Sequence, residues 1–251
     1  VESDGPLTTL LPSGMAHPGG ITLLGDKLVV ADMNAIRFFD KKTGEQTNIQ
    51  RNVLGTGKMG GAINVSVDGN NLILVSWLDN DVRVWDPVAE EVVERYSGLS
   101  APVDAVRFAG KIIVTEHGSN QVTALDESGS MPLLNFAAPS GLAVDGDDLY
   151  LTDREGGSIY KIGAGNAILE KPELITKGLE SPEGLVITNS GFAVVEADSG
   201  HIVNINALGE KKLLATIPAG SAASTETQPP SMIFNGVTID ENGIIYVTGE
   251  T

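Results

Sequence analysis

The 251-residue chain reads as an all-β protein: a single domain, residues 1–251, folded as a six-bladed β-propeller with four-stranded antiparallel blades. Three observations predict this. A strand–turn–strand segment recurs six times, the recurrences are spaced like propeller blades, and the apolar runs meet Gly, Asp or Asn turns before they are long enough for a helix.

The first copy is "GGITLLGDKLVVAD" (Gly19 to Asp32): a short alternating run, a turn, then a β-rich run. "INVSVDGNNLILVS" (Ile63 to Ser76), "VDAVRFAGKIIVTE" (Val103 to Glu116), "SGLAVDGDDLYLTD" (Ser140 to Asp153) and "EGLVITNSGFAVVE" (Glu183 to Glu196) share its frame. "NGVTIDENGIIYVT" (Asn235 to Thr248) fits with one extra turn residue. With Gly20, Asn64, Asp104, Gly141, Gly184 and Gly236 as equivalent points, the successive spacings are 44, 40, 37, 43 and 52 residues, the size of a four-stranded blade. A third strand follows in five copies ("AIRFFD", "VRVWD", "QVTALD", "SIYKI", "HIVNI"), then a less regular fourth such as "EVVERYSG" or "KKLLATI".

The sixth copy stops at "IIYVTGET", after its second strand. The opening "GPLTTLLPSG" is therefore expected to close the ring as the outer strand of the last blade, although no third strand for that blade is visible. "AGSAASTETQPPSM" (Ala219 to Met232) reads as a loop between the fifth and sixth blades. A pair of β-sandwiches is the alternative fold, disfavoured by six like units at blade spacing.

A formal charge of −17, from 33 acidic against 16 basic residues, argues against nucleic acid and anionic lipid as partners. The absence of cysteine excludes disulfides, thiolate metal sites and a Cys nucleophile, and three histidines, His17, His117 and His201, argue against a His-rich zinc site. No run approaches the ~18 apolar residues of a membrane span. The start "VESDGPLTTLLPSG" has no initiator Met and no apolar leader. It reads as a processed product, compatible with export to the periplasm or the extracellular space.

In a propeller the innermost strands line a central tunnel and their first residues form a ring at one mouth, where a small-molecule substrate or ligand is expected. The first row of that ring holds Gly19, Ile63, Val103, Ser140, Glu183 and Asn235; the second holds Gly20, Asn64, Asp104, Gly141, Gly184 and Gly236. Strand alternation turns one row to the tunnel in each blade, and a one-residue bulge exchanges them. Glu183, Asn235, Asn64, Asp104 and Ser140 are the candidate tunnel groups. As hard oxygen donors they suit Ca²⁺ or Mg²⁺ better than zinc.

The second strands close on Asp32, Ser76, Glu116, Asp153, Glu196 and Gly249, whose acids are expected to accept backbone N–H bonds at the turns. Glu116 followed by His117 offers a general base and a proton shuttle at the rim. Trp77, Arg83 and Trp85 read as packing and surface, with Trp77 also placed to wall a pocket. "GTGKMGG" (Gly55 to Gly61) has neither the interval nor the helix of a phosphate loop, and no nucleophile elbow or zincin motif is present.

The "PEGL", "PSGL" and "FNGV" segments, each leading into a β run, resemble the six-bladed superfamily of SMP-30/gluconolactonase, diisopropyl fluorophosphatase and paraoxonase-like proteins, with NHL-repeat and strictosidine-synthase-like propellers as further relatives. The resemblance covers nearly the whole chain. It implies a Ca²⁺ held by Glu183, Asn235, Asn64 and Asp104, the last two matching after a shift of one position. The ion would polarise the carbonyl of a lactone or small ester while Asp104 activates water. Two other readings stay open: a non-catalytic NHL-like propeller that binds a protein or small ligand, and a metal-free strictosidine-synthase-like enzyme with Glu183 as proton acceptor.

Overall fold

The computed structural model describes residues 8–10, 14–33, 35–51, 61–217 and 235–248. Five repeats fold into antiparallel four-stranded meanders. Blade 1 is β1 (Pro18–Leu24), β2 (Lys27–Asp32), β3 (Ala35–Asp40) and β4 (Gln46–Gln50); blade 2 is β5 (Ala62–Asp68), β6 (Asn71–Ser76), β7 (Asp81–Asp86) and β8 (Glu91–Ser97). Blade 3 is β9 (Pro102–Phe108), β10 (Lys111–Glu116), β11 (Gln121–Asp126) and β12 (Gly129–Asn135); blade 4 is β13 (Pro139–Asp145), β14 (Asp148–Asp153), β15 (Ser158–Ala164) and β16 (Ala167–Lys177). Blade 5 is β17 (Pro182–Thr188), β18 (Gly191–Glu196), β19 (His201–Asn206) and β20 (Lys211–Thr216).

The sixth repeat departs from expectation. It contributes β21 (Val237–Ile239) and β22 (Ile245–Val247), a two-stranded sheet, so the described residues make five four-stranded blades rather than six. The N-terminal strand expected to complete this sheet falls largely outside the described residues, as do the 219–232 loop, Gly249 and all of "GTGKMGG" except Gly61.

The inner strands nevertheless follow one another round an axis, β1 against β5, β5 against β9, β9 against β13, β13 against β17, β17 against β21, and β21 against β1. Tyr246 packs against Ile21, Leu28, Val30 and Phe39 of blade 1. Close by, the buried Lys41 Nζ pairs with Glu241 at 2.6 Å and the Tyr246 hydroxyl donates to Lys41 O at 3.3 Å.

The core consists of slabs between blades. Ile73, Val75, Val82 and Val84 of blade 2 meet Ile112, Val114 and Leu125 of blade 3, and the other blade pairs repeat the arrangement. A strand sandwiched in this way is apolar on both faces, which explains why "NLILVS" and "KIIVTE" run continuously while the outer β8 alternates. The β9–β10 connection shows the turn chemistry: Ala109 and Gly110 both take positive φ, 50° and 78°, the two-residue hairpin that matches strand twist.

Threonines latch successive blades. Thr152 Oγ1 accepts the Gly141 N–H of its own blade at 2.7 Å and donates to Glu183 O of the next at 2.9 Å. Thr115 does the same between Asp104 N and Ser140 O, and Thr248 between Gly236 N and Gly19 O, which joins the sixth sheet to blade 1. Ala31, Val75 and Val195 hold this position in the other blades and bring no hydroxyl.

Candidate functional site

Every four-stranded blade carries a one-residue bulge where its inner strand begins. Pro18 pairs with Asp32 and Ile21 with Val30, so Gly19 and Gly20 together oppose Ala31; blades 4 and 5 repeat this at Pro139 and Pro182. Ile63 and Val103 are the extra residues in blades 2 and 3. The bulge sets which row lines the axis. Asn64, Asp104, Gly184 and Gly236, all of the second row, border an axial channel of about 360 Å³, together with Thr22, Ser66, Thr238, Arg107 and a majority of aliphatic side chains. The strands approach closely here: a Cβ on Gly20 would sit 1.7 Å from Asn64 Oδ1, so blades 1 and 2 tolerate only glycine at that point.

Asp104 is buried on this channel. Its Oδ2 accepts the Leu142 N–H of blade 4 at 2.7 Å and its Oδ1 the Ala105 N–H at 2.8 Å. Burial pushes its carboxyl up to about 7 against the pull of those two donors. Arg107, further along the channel, is held by Asp68 at 2.7 Å and Glu94 at 2.9 Å. Asn64 Oδ1 accepts the Val65 N–H at 2.7 Å.

Glu183 and Asn235 occupy the first row and are brought together. Glu183 is 2% exposed. Its Oε2 accepts both the backbone N–H of Asn235 at 2.9 Å and the side-chain Nδ2 at 2.8 Å, and its Oε1 accepts Arg154 Nε at 3.1 Å. Burial raises its pKa, opposed by the Asn235 N–H and the Arg154 charge. No hydrogen bond among the described residues joins this pair to Asp104 or Asn64. Ser140 is buried in the same row, and its carbonyl takes the Thr115 latch.

Arg154 is the residue that sequence reasoning missed. It follows the terminal acid of β14, as Trp77 follows Ser76 and His117 follows Glu116, so one further column of the repeat alignment collects Trp77, His117 and Arg154 at the rim. Its guanidinium also reaches Asp198 Oδ1 at 3.6 Å. The rings of Trp77 and His117 lie 5.7 Å apart. Half-buried His117 has its pKa lowered, first by burial and then by the Arg154 charge. Trp85 is buried instead, its Nε1 donating to Gln50 at 2.7 Å, and buried Arg83 pairs with Asp81 at 2.9 Å.

The acids that end the second strands do accept backbone N–H groups, from the segment that leads into the same blade. Asp32 takes Ala16 and His17 at 2.7 Å each, Glu116 takes Ser100 at 2.6 Å, Asp153 takes Ala138 at 2.8 Å and Glu196 takes Glu180 at 2.9 Å. Glu116 spends its other oxygen on the Thr123 hydroxyl and so points into its blade, while His117 faces Trp77 on the rim. Among the described residues no three acidic or imidazole side chains gather as a metal cage.

A ring of four-stranded blades with polar groups collected where the inner strands begin defines the chain as a β-propeller with an axial site. No protein-family model matches it, and no curated protein matches its sequence. Solved structures do match. A streptogramin B lyase superimposes with a TM-score of 0.66 at 18% identity, over 95% of this chain and 78% of that one. A gluconolactonase from Xanthomonas campestris gives 0.68 at 17%, over 94% and 84%. The calcium-binding protein regucalcin from Agrobacterium tumefaciens gives 0.60 at 12%, over 80% and 74%. At these identities the likeness establishes the fold alone, that of a β-propeller.

Proposed function

We propose that the chain is a lactonase-type hydrolase that opens a small cyclic ester at the mouth of a six-position propeller ring. The observation that carries this is Glu183: a carboxylate buried where β17 begins, one residue before the channel-lining Gly184, held by Asn235 on one oxygen and by Arg154 on the other. Its raised pKa suits a group that takes a proton and returns it. Glu183 accepts a proton from water as the water oxygen adds to the lactone carbonyl. Arg154 supports the negative charge that develops on the carbonyl oxygen. The ring C–O bond then breaks, and the departing oxygen recovers the proton from Glu183. His117, its pKa lowered by burial and then by the Arg154 charge, is the second proton carrier of the rim. Asp104 lies on the channel and serves as the alternative base.

The regucalcin neighbour supports a divalent ion, and the family resemblance implies Ca²⁺ on Glu183, Asn235, Asn64 and Asp104. The donor set as placed does not fit one shared ion. A guanidinium and an amide N–H group already face Glu183, whereas Asn64 and Asp104 belong to the row that borders the channel. No step above passes through a metal.

A lactone panel followed by pH-stat tests the proposal. Turnover by the wild type and its loss in Glu183→Gln are expected. No turnover of any lactone favours the NHL-like binding protein, and condensation of an amine with an aldehyde favours the strictosidine-synthase-like enzyme.

A further inference from the structure

The misfit between Glu183 and a divalent ion has a positive content. We infer that Arg154 is a resident cation: a tethered positive charge that neutralises Glu183 at the propeller mouth and excludes Ca²⁺ from it. This concerns the same residues as the proposed hydrolysis but does not depend on turnover.

Three observations carry it. A carboxylate only 2% exposed is costly unless a positive charge or several donors meet it, and Arg154 Nε does so at 3.1 Å. Arg154 is itself fixed at two points: its backbone N–H donates to Ala138 O at 2.8 Å, and its guanidinium Nη2 lies 3.6 Å from Asp198 Oδ1, so the residue is anchored where β14 ends. Finally, Asn235 turns N–H groups, backbone and side chain alike, towards Glu183 Oε2. A calcium ion gathers six to eight oxygens. Here the surroundings of Glu183 present nitrogen donors, the complement of an anion. Burial lowers the pKa of the neighbouring His117, and the Arg154 charge adds to that.

The inference makes the charge at the mouth a property of the polypeptide, indifferent to chelators. It also assigns Arg154 to the oxygen-rich end of a ligand, a carbonyl or carboxylate group, in preference to an ammonium group.

The test is Ca²⁺ titration of EDTA-treated protein by calorimetry, with thermal unfolding in EDTA and in Ca²⁺, on wild type, Arg154→Ala, Arg154→Lys and the double variant Arg154→Ala/Glu183→Gln. The wild type is expected to show no saturable Ca²⁺ heat and one melting temperature in both conditions. Arg154→Ala, which uncovers the buried carboxylate, should melt lower in EDTA and bind Ca²⁺ at least about tenfold more tightly than wild type, with a Ca²⁺-dependent rise in Tm. The double variant should lose that rise. Arg154→Lys keeps a charge and should remain silent to Ca²⁺, and it decides the matter if Arg154→Ala does not fold. Tight single-site Ca²⁺ binding by the wild type or by Arg154→Lys overturns the inference, as does a folded Arg154→Ala with no gain in Ca²⁺ response.

Discussion

Glu183 and Asp104 are two carboxylates buried at the start of inner strands, two blades apart, and the structure treats them differently. Glu183 meets a guanidinium and an amide. Asp104 meets only two backbone N–H groups and looks into a channel bordered mostly by aliphatic side chains. Equal burial thus leaves one acid compensated by a full charge and the other by dipoles alone. Burial on its own does not mark a catalytic carboxylate; its partners do.

The largest effect expected from this contrast is on turnover. Glu183→Gln should lower lactone kcat by about 10²–10⁴-fold, the span of a lost acid–base group, and Asp104→Asn by about tenfold or less. Equal losses would move the chemistry onto the channel.

Next comes the pH dependence of stability. Asp104 has an ordinary value of 3.8 and is pushed up to about 7 in the folded chain. Between those values the unfolded chain has released a proton that the folded chain still holds, so stability falls as pH rises through the window and levels off above it. Urea unfolding from pH 4 to 8 should show a loss on the order of 2–4 kcal/mol in the wild type relative to Asp104→Asn. Parallel profiles for the two proteins would show that Asp104 is not held protonated by its burial.

A smaller effect is expected from the latch that joins the two neighbourhoods. Thr152→Val leaves the buried Gly141 N–H and Glu183 carbonyl without their hydroxyl partner and should cost about 1–3 kcal/mol in urea unfolding. Valine already stands at this position in blades 2 and 5, so a negligible loss would mean that blade packing alone seats the mouth. Smallest of all, Asp198→Asn removes an exposed acid 3.6 Å from Arg154 and should change stability by less than about 1 kcal/mol. A larger change would show that Asp198, and not Glu183, is the main anchor of the guanidinium.

Much of this architecture was legible in the sequence because its causes are local. The "GDKLVVAD"-type hairpins, the continuous apolar middle strands and the acids that end them follow from turn chemistry, from burial on both faces and from N–H groups that need acceptors. The count of full blades was less legible: a repeat names an inner hairpin, and among the described residues the sixth shows two strands where the others show four. The alignment rows singled out Glu183, Asn235, Asn64 and Asp104 as candidates but not which of them share surroundings. Glu116 and His117 were paired by adjacency, yet β10 ends at Glu116, whose carboxylate meets Thr123 within the blade, while His117 begins the turn and its ring faces Trp77.

By itself the sequence determined a repeated β pattern, its spacing, and the chemical types available where the inner strands begin. Tertiary structure alone decided that the bulges turn Asn64 and Asp104 to the channel, and that Glu183 finds Arg154 29 residues away and Asn235 52 residues away. The reason is physical. Strand periodicity is written in consecutive residues, whereas a one-residue bulge and the neutralisation of a buried charge depend on which groups the closed ring brings together in space.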